Sequence, residues 1–130
     1  FEPGNALHNY DMGFRLAEQF LDIPGDQRPS AILAINDRVA IGAVNCLRQS
    51  GLRVPDDVSV VGYDNLDVTD YTLPPLTTID QQATELMRTA FDMLMQSIGE
   101  QDGRLPTRPV RIPPRLVVRA STAPPARLNR

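Results

Sequence analysis

A chain of 130 residues with 42% apolar and 22% charged residues has room for one ordinary globular domain with a core of moderate size. No apolar run approaches the ~18 residues a bilayer span needs, and a single cysteine (Cys46) with a single histidine (His8) leaves neither a disulfide framework nor a Cys/His zinc site. The net charge of −3 hides two halves: all 13 cations are Arg, seven of them between Arg104 and Arg130, so residues 1–103 carry six Arg against 16 acids and are too acidic to track phosphates.

The chain starts at Phe1, which reads as a trimmed end or a piece of something longer, and residues 1–10 lack periodicity. Asp11 can cap a helix over 12–22 that turns Phe14, Ala17, Phe20 and Leu21 to one face, ended by Ile23-Pro24-Gly25. After a turn over 24–30, Ala31-Ile32-Leu33-Ala34-Ile35 is a continuous apolar run, the pattern of a strand buried on both faces. Asp37 stands where a helix N-cap belongs, Ala40, Ala43, Val44 and Leu47 follow at helical spacing, and Gly51 suits the C′ position. Cys46, beside that apolar face, reads as a small buried residue with nothing to activate it. Val54-Pro55-Asp56-Asp57 turns the chain into a second buried strand over 58–62, completing a βαβ unit with parallel strands.

A polar loop over 63–75 leads to a short extended segment, Leu76–Ile79. Asp80 can start a long helix over 81–98, striped by Ala83, Leu86, Met87, Ala90, Leu94 and Ile98, with Met87, Met93 and Met95 as core and edge. Two β-like runs, 109–112 and 115–119, close the ordered part. Their Arg read as exposed positions of an edge strand, and 123–130 as a disordered tail.

In open parallel sheets, ligands bind outside the carboxyl ends of the strands. The first strand runs into Asn36-Asp37 and the second into Tyr63-Asp64-Asn65, and adjacent parallel strands place these doublets in one crevice. An ionised Asp accepts from two hydroxyls while Asn both donates and accepts, which suits neutral polyols such as sugars and nucleosides. Asp37 reads first as a helix cap and Tyr63 as packing. Asn36 stands ahead of the cap, so capping does not explain it and it reads as a ligand contact; Asp64 reads as a ligand contact or as closing a turn with Asn65. Catalysis finds no support: there is no Gly-x-Ser-x-Gly elbow, phosphate loop or Gly-x-Gly-x-x-Gly, and the Asp56-Asp57 pair lies on an exposed turn. The expectation is a protein that is no enzyme and uses no metal and no cofactor.

The run Ala31–Ala43, A-I-L-A-I-N-D-R-V-A-I-G-A, resembles a segment of lactose/galactose-repressor-type transcription regulators. Gly51–Asn65 (G-L-R-V-P-D-D-V-S-V-V-G-Y-D-N) is similar to that family's second signature, Pro74–Ile79 to its third, and Leu116–Thr122 to its closing strand. The four stand in order with family-like spacing over about residues 11–122.

The resemblance implies an α/β fold: the parallel-sheet βαβ lobe of a periplasmic-binding-protein-like (type I) fold, incomplete because the first lobe is missing. Residues 1–122 would be the C-terminal part of an effector-binding and dimerisation domain in a cytoplasmic repressor. Its helix-turn-helix DNA-binding domain, absent from this chain, would alone contact operator DNA. The ligand contacts implied are Asn36, Asp64, Gln81 and an aromatic or His8 ahead of Gly13, with Tyr10 favoured. Homodimer contacts fall at Ile41, Val44 or Asn45, and Tyr71 to Leu73. The effector implied is a sugar or nucleoside, since the acidic crevice disfavours a phosphorylated one. A periplasmic solute-binding protein of a transporter shares the fold, but Val54–Asp64 and Pro74–Ile79 favour the repressor. Without a first lobe, the apolar face of helix 81–98 is expected to lie uncovered.

Overall fold

Helix α1 (Tyr10–Leu21) starts two residues earlier than Asp11 would place it, because Asn9 is the N-cap: its Oδ1 accepts from the Met12 N–H at 3.1 Å. The computed structural model describes residues 9–99 and 109–125, so His8 lies outside the described residues. Phe14, Ala17, Phe20 and Leu21 turn to the core as their spacing predicts. Arg28 closes the other end of α1, its Nη2 donating to the carbonyls of Leu21 (2.7 Å) and Ile23 (2.9 Å).

Strand β1 (Ala31–Leu33), helix α2 (Asp37–Gln49) and strand β2 (Ser59–Tyr63) form the expected βαβ unit. The α2 stripe of Ala40, Ala43, Val44 and Leu47 is buried, and Gly51 takes φ +84° past the helix end. Helices α1 and α2 cross at two glycines. A Cβ on Gly13 would collide with the Val39 carbonyl, and one on Gly42 with the Tyr10 carbonyl. Only a residue without a side chain allows this approach.

A 3-10 turn (Asp67–Asp70), strand β3 (Thr77–Asp80), helix α3 (Ala83–Gly99) and strand β4 (Arg115–Val117) complete the elements among the described residues. The sheet order is β1-β2-β3-β4, parallel between β1, β2 and β3 and antiparallel between β3 and β4. Val61 stands opposite Thr77, and Ile79 opposite Leu116. The carboxyl ends of β1, β2 and β3 therefore share one edge. Leu47, Val58, Val60 and Leu76 are the largest apolar side chains fully buried in the core. Buried Ser121 pins the closing segment, donating to the Val60 carbonyl at 2.6 Å and accepting from the Thr77 N–H at 2.8 Å.

Several expectations need correction. β1 is an edge strand buried on one face only: Ile32 and Ala34 meet the helical layer, while Leu33 and Ile35 are 71% and 60% exposed. An apolar run shows that both faces want cover; it does not show that the cover is present. Asp80 ends β3 instead of starting α3, and its Oδ1 accepts from the Gln82 N–H at 2.7 Å. Met87 and Met95 are exposed and not core; with Leu86, Phe91, Leu94 and Ile98 they form the uncovered apolar face expected of α3. Of the two late β-like runs only the second pairs, because residues 109–114 are irregular. Ala123, at the start of the presumed tail, exchanges two hydrogen bonds with the Ser59 hydroxyl, and residues 126–130 lie outside the described residues.

Candidate functional site

The shared edge of β1, β2 and β3 delivers Asn36, Asp64 and Gln81 from three successive parallel strands. Two of them touch: Gln81 Nε2 donates to Asp64 Oδ1 at 2.9 Å. The backbone here is strained. Asp64 (φ +108°), Asn65 (φ +56°) and Gln82 (φ +55°) all occupy the left-handed side of conformational space without being glycine. Such residues cost of order 1–3 kcal/mol each, persist only where the surroundings hold them, and cluster at functional sites.

One of the holding groups is Asp37. Asn36, not Asp37, caps α2, its Oδ1 accepting from the Val39 N–H at 2.9 Å. This frees the Asp37 carboxylate to turn inward, where it is fully buried. Its Oδ2 accepts from the Leu66 N–H at 2.8 Å and its Oδ1 from the Thr78 hydroxyl at 2.5 Å. Asp37 thus ties the start of α2 to the loop after β2 and to β3. Charge-assisted hydrogen bonds of this kind are what make a buried carboxylate tolerable. Gly62 leaves the space, since a Cβ there would collide with Asp37 Oδ1 and lie 3.0 Å from Leu76 Cδ2.

The Asp64 carboxyl is held above its ordinary pKa, first by burial and second by the negative charge of Asp37, with Arg38 opposing both. Tyr10 opens α1 with its carbonyl against Gly42, and its side chain is half-exposed. Among the described residues no group of three or more His, Cys, Asp or Glu is placed to hold a metal ion. Burial first, and Glu18 second, push the Cys46 thiol up, which makes it a poor nucleophile. This strand-end edge presents a carboxylate acceptor beside side-chain amides, groups able to hydrogen-bond hydroxyls.

A second feature lies on the other side of α2. Ile41, Val44, Asn45 and Tyr71 to Leu73, all the positions the resemblance assigned to partner contacts, line one hollow of about 250 Å³ together with Arg48. Tyr71 is 85% exposed, whereas Ile41 is 9% exposed and forms part of the wall without standing proud. Arg48 Nη1 donates to the Leu73 carbonyl at 2.7 Å, holding the 71–73 segment against α2.

Sequence reasoning missed Thr78 and Arg119. Nothing in spacing marks a buried threonine hydroxyl as a partner for Asp37; a glycine inside a strand, as at Gly62, is the one sequence signal of close approach there. Arg119 was grouped with exposed edge-strand arginines, yet its side chain is only 14% exposed.

A mostly parallel sheet packed against helices, with polar residues gathered at the strand ends, is an α/β lobe of the type I periplasmic-binding-protein-like kind. The chain belongs to the periplasmic binding protein-like domain family, whose profile matches residues 4–122. It is 38% identical over 109 residues to the HTH-type transcriptional repressor PurR of Aliivibrio fischeri (strain ATCC 700601 / ES114), covering 84% of this chain and 32% of that protein. The dimeric Lac repressor with an 11-residue C-terminal deletion superposes with a TM-score of 0.79 at 36% identity, over 91% of this chain and 42% of that one. A LacI family transcriptional regulator from Enterococcus faecium, solved with bound ribose, superposes with a TM-score of 0.78 at 33% identity, over 89% of this chain and 41% of that one. The chain spans about a third of the length of the curated repressor it matches. Among the described residues no helix is long and apolar enough to cross a membrane.

Proposed function

We propose that this chain is the effector-binding and self-associating part of a cytoplasmic transcriptional repressor that responds to a neutral sugar or nucleoside. The observation that carries the reading is the Asp64–Gln81 pair at the carboxyl ends of parallel strands, set in a strained backbone. Asp64 accepts from effector hydroxyls, Asn36 and Gln81 add amide contacts, and Tyr10 supplies the aromatic face for the ring. The ribose bound by the Enterococcus faecium neighbour supports the sugar class. Ile41, Asn45, Tyr71 and Leu73 meet the same surface of a second copy in a homodimer.

Effector bound between this lobe and a first lobe selects one lobe arrangement, and that choice reaches a helix-turn-helix DNA-binding domain upstream. Residues 1–122 belong to the effector domain, and operator DNA is contacted only through the upstream domain. No step of this function needs a catalytic group or a cofactor. The test is to sequence the reading frame ahead of Phe1. A helix-turn-helix there is the expected result. A secretory signal peptide without one would overturn the repressor in favour of a periplasmic solute-binding protein.

A further inference from the structure

The guanidinium of Arg119 reaches three places at once. Nη2 donates to Asn65 Oδ1 at 2.9 Å, Nε to Asp70 Oδ1 at 2.6 Å, and Nη1 to the Leu76 carbonyl at 2.8 Å. Its own backbone N–H donates to Thr77 Oγ1 at 2.9 Å, which fixes where the side chain leaves the closing segment. Asn65 follows Asp64 directly in the strained turn of the crevice. Asp70 ends the 3-10 turn Asp67–Asp70 and directly precedes Tyr71, which stands on the hollow. The loop between these ends, 64–73, therefore has a ligand end and a partner end, and one planar fork grips both. A lysine ammonium donates from a single point and cannot reproduce this geometry.

We infer that Arg119 is a positioning residue that couples the two ends of loop 64–73, so that a change at the crevice is transmitted to the Tyr71–Leu73 surface. The inference rests on the functional reading above and adds the residue through which the two surfaces communicate. Asp70 is 58% exposed, so that ion pair alone adds little to stability. The geometric restraint is the point, because left-handed Asp64 and Asn65 relax once their neighbours let go.

The test compares the wild-type protein with Arg119→Met, Arg119→Lys and Asp70→Ala. Amide hydrogen exchange is followed in peptides covering 64–73, where the N–H groups of Thr69 and Tyr71 are bonded within the loop and Leu76 N–H bonds back to the Thr69 carbonyl. Self-association by sedimentation and affinity for D-ribose are measured alongside. Arg119→Met should speed exchange in 64–73 about tenfold while α2 stays at its wild-type rate, and should weaken self-association and ribose binding together. Arg119→Lys should not restore the slow exchange.

Unchanged exchange in 64–73, an increase spread evenly over the domain, or loss at one end with the other intact would overturn the inference. If both Arg119 variants fail to fold, Asp70→Ala, which removes the acceptor, must still speed exchange over Asp67–Thr72, and failure to do so has the same weight. A wild type that neither self-associates nor binds D-ribose counts against the functional reading, while the exchange comparison still decides the role of Arg119.

Discussion

Gly62→Ala places a methyl group on the Asp37 carboxylate. The new Cβ collides with Oδ1, and the ways out are blocked by Leu76 Cδ2 at 3.0 Å and by Asp37 Cα at 3.2 Å. Either the start of α2 moves away from β2, at the ~1–3 kcal/mol typical of overpacking, or the carboxylate swings out. The second route breaks the bonds to Leu66 and Thr78, each worth about 1.5–3 kcal/mol for a charged acceptor, and strands the buried Thr78 hydroxyl and the partly buried Leu66 N–H. The first route costs less, so the predicted loss is about 2–3 kcal/mol, a fall in Tm of roughly 10 °C for a domain of this size. Calorimetry and denaturant unfolding measure it directly. The same substitution made on top of Asp37→Ala should cost at least about 1 kcal/mol less, because the colliding atoms are gone. A Gly62→Ala protein within ~0.5 kcal/mol of wild type, or strictly additive losses, would refute the account of Asp37 as an inward clamp.

Three further expectations follow from the packing and the charges. The Asp64 pKa is raised in the folded chain, so the stability associated with its protonated form is fully present below about pH 4 and is lost as pH rises through the folded value. Asp64→Asn should therefore gain stability relative to wild type near neutral pH, with the gap closing toward low pH; a gap independent of pH contradicts this. Leu47 is fully buried, and Leu47→Ala should cost about 2–5 kcal/mol by denaturant unfolding. Tyr71→Asp, at an 85% exposed position, should leave Tm within about 2 °C of wild type yet abolish self-association in sedimentation; an unchanged oligomer would move the partner surface elsewhere.

Much of this fold is written in local pattern. The βαβ unit follows from two short apolar runs flanking a helical stripe, and its polar doublets fall at the strand ends because parallel strands share a direction. Boundaries were less legible. Asp11, Asp37 and Asp80 are all plausible caps by residue type. Asn9 and Asn36 took the first two roles, and Asp80 became the last residue of a strand. A capping residue is chosen by the backbone angles around it, and residue type alone ranks Asp and Asn equally. The placement of the candidate residues was legible to the extent that it follows consecutive sequence: Asn36, Asp64 and Gln81 each come after a strand. Its supporting groups were not, since Asp37 meets Thr78 across 41 residues and Arg119 meets Asn65 across 54. Such pairs exist only after β2, β3 and β4 have found their register.

The central claim is that the crevice of Asn36, Asp64 and Gln81 holds a neutral hydroxylated effector. Its most direct test is calorimetric titration of wild type and Asp64→Ala with a set of pentoses, hexoses and nucleosides, beginning with D-ribose. Removing a charged acceptor from a hydroxyl is worth about 1.5–3 kcal/mol. The account therefore predicts that at least one compound binds the wild type and binds Asp64→Ala roughly ten- to a hundredfold more weakly. A compound that binds both proteins equally well would place the effector elsewhere.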